Sequence, residues 1–293
     1  MFLKLLPLFE YICPKCRKEI KKNSHECSHC GEKFPLAIRV PPSFLKDPKK
    51  LEAYVHKHVF PRVSEFERNY LTKYFTTIFS DGFESGDFTA WTSVETVGLN
   101  TQTVVNDDKH HGTYSAKFTD PSGGTSGVYK TITAGTNFYL RAYVRFSSPT
   151  TTDGDETFSI KFSNGLPNWI GIVGVEYNVA DGKYYWILYS RTGTTTVVTR
   201  SVSTFTLSTT TWYCLELHSV IHATTGEHQV WINGTDTIHI TGQDTDNYGN
   251  IDCAKVGLDH RGGDTIYVDC VVVADAYIGP ETGAPFFTLA FTR

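Results

Sequence analysis

The chain has 293 residues, 40% hydrophobic and 20% charged, the balance of an ordinary globular protein with room for about two domains. Its formal charge of −4 divides unevenly: residues 1–80 carry 15 Lys+Arg against 8 Asp+Glu, net +7, and residues 81–293 carry 12 against 23, net −11. That split points to two units with different surroundings, and the absence of any run of ~20 apolar residues excludes a helical membrane span.

The first ten residues are apolar in part, but Pro7 interrupts the run and Glu10 ends it. No small-residue cleavage site precedes Cys13, so the sequence predicts no signal peptide and synthesis in the cytoplasm, where thiols stay reduced and can take metal. Cys13-Pro-Lys-Cys16 and Cys27-Ser-His-Cys30-Gly31 then form two C-x2-C knuckles separated by ten residues. Each knuckle turns tightly enough to aim two thiolates at one ion, and two complete a tetrahedron. The spacing predicts one structural Zn²⁺ on Cys13, Cys16, Cys27 and Cys30. Four thiolates saturate it, which leaves His25 and His29 as bystanders and no vacant position for catalysis. A redox dithiol is disfavoured, because such motifs usually come singly on a βαβ unit. Residues 11–35 resemble the zinc ribbons found at the N-termini of many archaeal and bacterial proteins. Lys15, Arg17, Lys18, Lys21 and Lys22 make the module basic, but no aromatic residues interleave with them. A solvated surface is therefore favoured over nucleic-acid binding.

Residues 36–80 read as a connector with two short helices. Asp47-Pro48 caps the first, Leu51, Tyr54, Val55 and Val59 recur at helical spacing, and Pro61 stops it. Ser64 and Glu67 form a capping box for the second, which sets Tyr70, Leu71, Tyr74, Phe75 and Ile78 on one side.

From residue 81 the period changes to two. Phe138, Leu140, Ala142, Val144 and Phe146 alternate with Tyr139, Arg141, Tyr143 and Arg145; Phe158, Ile160 and Phe162 alternate with Ser159, Lys161 and Ser163; Tyr213, Leu215 and Leu217 alternate with Cys214, Glu216 and His218. Further strands are predicted over 183–190, 228–233, 254–258 and 267–277. Many short strands with Gly/Asn/Asp turns predict a mainly β fold, an antiparallel jelly-roll sandwich over 81–279, followed by an apolar tail at 280–293.

The run Asp81-Gly-Phe-Glu-Ser-Gly-Asp-Phe-Thr-Ala-Trp91 is followed by His111-Gly-Thr-Tyr-Ser-Ala-Lys-Phe118, Trp212-Tyr-Cys-Leu-Glu-Leu, Thr225-Gly-Glu-His-Gln-Val-Trp-Ile-Asn-Gly234 and Ile266-Tyr-Val-Asp-Cys-Val-Val-Val273. In that order they resemble the concanavalin A-like, laminin-G-like jelly rolls, a group of lectins, carbohydrate-binding and adhesion modules, polysaccharide lyases and glycosidases. The resemblance implies a structural Ca²⁺ at Glu84 and Asp269, whose oxygens suit that ion. If the apolar sets point inward, Tyr139, Arg141, Tyr143, Arg145, Glu216 and His218 line an outer face, where aromatic rings stack on sugars and Arg grips carboxylates. The same residues can equally do no more than solvate and stiffen a sheet. Tyr184 and Trp186, or their neighbours, are further candidates for aromatic platforms. Cys253 and Cys270 lie equidistant from the Arg261-Gly262 turn, so a regular hairpin would set them opposite each other as a disulfide, with Cys214 left as a free thiol.

No E-x-D-x-x-E arrangement is present, and Glu216 stands alone on its strand. The expectation is therefore a non-catalytic, lectin-like sandwich displayed from the zinc-ribbon anchor. It would recognise carbohydrate or another surface ligand within a homo-oligomer or larger extracellular or virion assembly, built through residues 1–80 and the tail. The alternative is a polysaccharide lyase or glycosidase acting on the sandwich face; for a lyase, Tyr139, Arg141, Tyr143 and His218 could be cast as base and uronate-neutralising group, as could residues of any Tyr-rich sheet.

Overall fold

The computed structural model describes residues 77–121, 123–165, 168–259 and 263–281. The chain divides into two units, Met1–Tyr74 and Phe75–Arg293, and all described residues belong to the second. The zinc ribbon, both connector helices up to residue 76 and the tail from residue 282 lie outside the described residues, as does the assembly role expected of them.

Among the described residues there are fifteen strands and no helix, hence none that can cross a membrane. In chain order they are β1 (Thr77–Asp81), β2 (Ser93–Thr96), β3 (Thr101–Val105), β4 (Ser115–Asp120), β5 (Thr125–Gly135), β6 (Asn137–Ser148), β7 (Glu156–Asn164), β8 (Asn168–Asn178), β9 (Lys183–Thr192), β10 (Thr195–Arg200), β11 (Tyr213–Val220), β12 (Gly226–Ile232), β13 (Thr235–Gln243), β14 (Ile251–Asp259) and β15 (Asp264–Ala274). They build two antiparallel sheets that pack as a sandwich. The first runs β13-β12-β11-β6-β15-β4-β3, with β1 also paired to β15, and the second runs β10-β9-β8-β7-β14-β5-β2.

Most of the expected alternation survives. Leu140, Ala142, Val144 and Phe146 of β6 and Leu215 and Leu217 of β11 meet Ile160, Phe162, Val173, Leu188, Val256 and Leu258 of the opposite sheet in one buried core. Three expectations change. Ile78, placed on a helical stripe, lies in β1, where β-branched and aromatic residues pair with β15 and Phe79 packs edge-on against Trp91. Phe158 does not join Ile160 in the core. A register shift after Phe158 turns it outward, into a separate cluster with Ile172 and Ile187.

The third correction concerns Cys253 and Cys270, which are not disulfide-bonded; both thiols are free. β14 and β15 follow each other in sequence but belong to opposite sheets. Packed sheets lie ~10 Å apart, beyond the ~7 Å between Cα atoms that a disulfide spans. Cys270 also sits at φ 50°, in a bulge where β15 slips against β6 between Asp269 and Val272.

The core also holds a histidine. His228 is fully buried, its Nδ1 2.9 Å from Ser219 Oγ, and burial pushes its pKa down to about 4. Unfolded, it titrates near 6.5, so between those values the unfolded chain binds more protons here and stability falls as pH falls. Asp264 acts oppositely: burial raises it to about 7, and its contribution is lost as pH rises from about 3.8 to 7. Urea titrations from pH 7 to 4 are expected to show a shallower loss of stability in His228→Leu than in the native chain, by up to about 1.4 kcal/mol per pH unit.

Candidate functional site

The face expected to bind ligand is covered by the chain itself. Arg141 is 1% exposed, and its guanidinium donates to the carbonyls of Gly279 and Cys270 and to the Glu281 carboxylate, each at 3.2 Å. Glu216 accepts the N–H groups of Ile278 and Gly279 at 2.7 and 2.8 Å. The Tyr143 hydroxyl accepts the N–H of Glu281 at 2.7 Å. His218 is buried under the stacked ring of Tyr139, with Nε2 2.9 Å from Asn137 Oδ1, and burial pushes it down to about 4. Arg145 pairs with Asp108 and lies over the Tyr267 ring. The six residues expected on one outer face do share one face of the first sheet. Four of them, Arg141, Tyr143, Arg145 and Glu216, clamp residues 278–281 and the loop around Asp108 onto the first sheet, because backbone groups crossing a sheet face must find partners.

Glu84 and Asp269 are also brought close. They flank Gly82, where an added Cβ would lie 3.7 Å from Asp269 Oδ1 and 4.0 Å from Glu84 Cγ. Asp269 accepts the N–H groups of His110 and His111 at 3.0 Å and of Cys270 at 2.6 Å; Glu84 accepts those of Thr113 and Tyr114 at 2.9 and 3.1 Å. Both carboxylates therefore anchor the 110–114 loop. Burial still raises Asp269 to about 6, so charge at this position is poorly compensated by those donors.

The outer face of the second sheet is built differently. Strand pairing sets Tyr129, Lys255, Lys161, Ile172 and Tyr189 side by side across β5, β14, β7, β8 and β9. Lys255 is 1% exposed and Lys161 7% exposed. A side chain at Gly127 would stand 2.7 Å from Lys255 Cε, so glycine there makes room for the lysine stem. Gly257, at φ +125°, lets β14 approach β5 so closely that a Cβ would fall 2.3 Å from the Ser126 carbonyl. Lys161, Lys255 and Gly257, together with Phe158, Ile172 and Asp259, line a shallow depression.

Its electrostatics are tightly compensated. Lys161 pairs with Asp259; Lys255 Nζ lies 2.6 Å from Glu95 Oε2 and 3.7 Å from Asp259 Oδ2. Burial lowers the Lys255 pKa, and the neighbouring charge of Lys161 adds to the effect. Burial alone would raise Asp259, but Lys255 and Lys161 outweigh it and hold the carboxyl below its ordinary value. At the far end of the row the Tyr189 hydroxyl donates to Glu156, which pairs across strands with Glu176, itself held by Arg200 through two 2.8 Å bonds. Arg191 lies 4.1 Å over the Trp169 ring and 5.0 Å over Tyr248.

Sequence reasoning missed this face. Tyr184 and Trp186, considered as platforms, point into the core, and Tyr185 and Tyr189 point out. One signal was available: Lys161 and Lys255 each interrupt an apolar strand.

No protein-family model matches the chain, and no curated protein matches it. Solved structures do. The endo-β-1,4-glucuronan lyase of the fungus Trichoderma reesei is similar with a TM-score of 0.54 at 16% identity, over 69% of this chain and 96% of that one. A cellulose-induced protein, Cip1, is similar with a TM-score of 0.54 at 20% identity, over 69% of this chain and 100% of that one. At these identities the likeness is one of fold. It nevertheless overturns the expectation of a non-catalytic, lectin-like display protein. The sandwich matches a lyase over nearly that enzyme's whole length, and the face on which the binding expectation rested is covered.

Proposed function

We propose that residues 77–281 form a polysaccharide lyase domain that cleaves a uronate-containing chain by β-elimination on the outer face of the second sheet. The observation that carries this is the cross-strand row in which Lys161 stands two strands, and Lys255 three strands, from Tyr189. Adjacent strands are ~4.8 Å apart, so Lys161 lies about 10 Å and Lys255 about 14 Å from the Tyr189 position along the sheet, the scale of one or two sugar rings. Lys161 draws electron density from the uronate carboxylate and makes its C5–H acidic, with Lys255 behind it sharing Asp259 as an ion-pair partner. Tyr189, hydrogen-bonded to Glu156, passes its proton to that carboxylate and takes the C5 proton. The C5–H electrons form the C4–C5 double bond, the C4–O bond breaks, the leaving oxygen takes the C5 proton from Tyr189, and Glu156 returns its proton to the phenolate. Trp169 and Tyr185 offer stacking surfaces beside it. The glucuronan lyase of the same fold supports the substrate class.

The test is product analysis on soluble polyuronates. Unsaturated ends, read by near-ultraviolet absorbance and mass, are the expected result. New reducing ends without unsaturation would mean hydrolysis, and unchanged polymer would mean no turnover; either rejects the lyase.

We further infer two metals. The spacing of Cys13, Cys16, Cys27 and Cys30 supports Zn²⁺, and the raised carboxyl of Asp269 beside Glu84 supports Ca²⁺ as a clasp for the 110–114 loop. Cys13→Ser with Cys27→Ser is expected to remove one equivalent of zinc by elemental analysis. Added Ca²⁺ is expected to raise the melting temperature of the native chain and not that of Asp269→Asn.

A further inference from the structure

Three side chains of unlike chemistry meet where residues 277–281 cross the first sheet. His110 Nδ1 lies 3.8 Å from Cys270 Sγ and 3.7 Å from Glu281 Oε2, and these three atoms all fall within 4.8 Å of one another. A tetrahedral site with Zn–S ≈ 2.3 Å and Zn–N or Zn–O ≈ 2.0–2.2 Å needs ligand atoms about 3.3–3.6 Å apart, so only tenths of an ångström separate this cluster from metal geometry along its two measured edges. Each ligand is held from behind. The Tyr143 ring stacks on the His110 imidazole at 3.6 Å, and Asp269 accepts the backbone N–H of His110. The β15 bulge carries Cys270 at φ 50°, and Arg141 holds the other oxygen of Glu281 at 3.2 Å. A hydrogen-bonded partner behind a ligating carboxylate, as Arg141 is to Glu281, orients ligands in established metal sites.

We infer that His110, Cys270 and Glu281 form a binding site for a borderline divalent ion of the zinc class, separate from the cysteine knuckles and from Glu84. A thiolate, an imidazole and a carboxylate suit zinc or cobalt and not calcium. His111, with Nδ1 3.5 Å from the same Glu281 oxygen, or a water fills the fourth position. The thiol proton leaves to solvent as the sulfur takes the metal, so one proton is released per ion at this ligand. The ion would tie the 110–114 loop, the bulge and the last described residues of the chain together. This inference does not depend on the lyase reading.

Zinc content of the full chain, after dialysis against excess zinc and then buffer, tests it. Cys270→Ser is expected to hold one equivalent less than the native chain, whatever the knuckles contribute, and Cys253→Ser is expected to match the native chain. In a full chain carrying Ser at 13, 16, 27 and 30, Co²⁺ is expected to produce a thiolate-to-cobalt charge-transfer band that Cys270→Ser abolishes. Glu281→Gln, which keeps the shape of the segment, is expected to weaken cobalt at least about tenfold. Equal zinc in the native chain and a folded Cys270→Ser overturns the site. If Cys270→Ser does not fold, unchanged cobalt affinity in Glu281→Gln overturns it.

Discussion

Tyr189→Phe is expected to lower turnover of a polyuronate by about 10²–10⁴-fold, the usual worth of a positioned proton-transfer group, and to leave the fold intact. The substitution removes one oxygen from a half-exposed ring. The ring keeps its edge-on contact with Phe158 at 5.0 Å and its place near Trp169. What it loses is the hydrogen bond to Glu156, and with it the group that takes the C5 proton and passes it to the leaving oxygen. Because the phenol acts on the reacting atoms and not on the bound polymer, KM should change little while kcat falls. Lys161→Met makes the complementary case, since a residue that neutralises the uronate contributes to both binding and turnover. A Tyr189→Phe enzyme with native kcat would place the chemistry elsewhere.

Arg141→Met is expected to lower unfolding stability by about 3–5 kcal/mol, the usual cost of removing one partner from a buried charged pair. Arg141 is 1% exposed, and three groups depend on it: the carbonyls of Gly279 and Cys270 and the carboxylate of Glu281. Methionine fills most of the volume and supplies no donor. The loss should appear in denaturant titrations as a lower midpoint with little change in slope. Had Arg141 been a sugar ligand on an open face, the same substitution would leave stability nearly unchanged and weaken ligand binding instead. The two outcomes separate the clamp seen in the structure from the ligand role that the alternation suggested.

Alternation along a strand is local, which is why so much of the fold was legible. The inward sets of β6 and β11 follow from period two alone, and with many such runs the mainly β sandwich follows as well. Parity was less secure where both faces are apolar. Tyr184, Tyr185 and Trp186 are all aromatic, and only the opposing sheet decides that the first and third are core. The bulge after Phe158 is likewise a property of the β7–β8 pairing and leaves no mark in β7 by itself. Symmetry about an expected turn misled in a different way: Cys253 and Cys270 count evenly from it, but β14 and β15 belong to opposite sheets.

The site lay beyond sequence reasoning for the same physical reason. Tyr129, Lys161, Ile172, Tyr189 and Lys255 come from five strands and are neighbours only because those strands pair in this order and register. The six residues expected on the first sheet did converge, because β6 and β11 pair as their patterns imply. Whether that face is open depended on residues 277–281, a segment without periodicity whose path is set by the acceptors of Glu216 and the donors of Arg141. Residue type and period determined which side chains leave the core; strand order and the covering segments, which are long-range contacts, decided which of them meet and which face solvent.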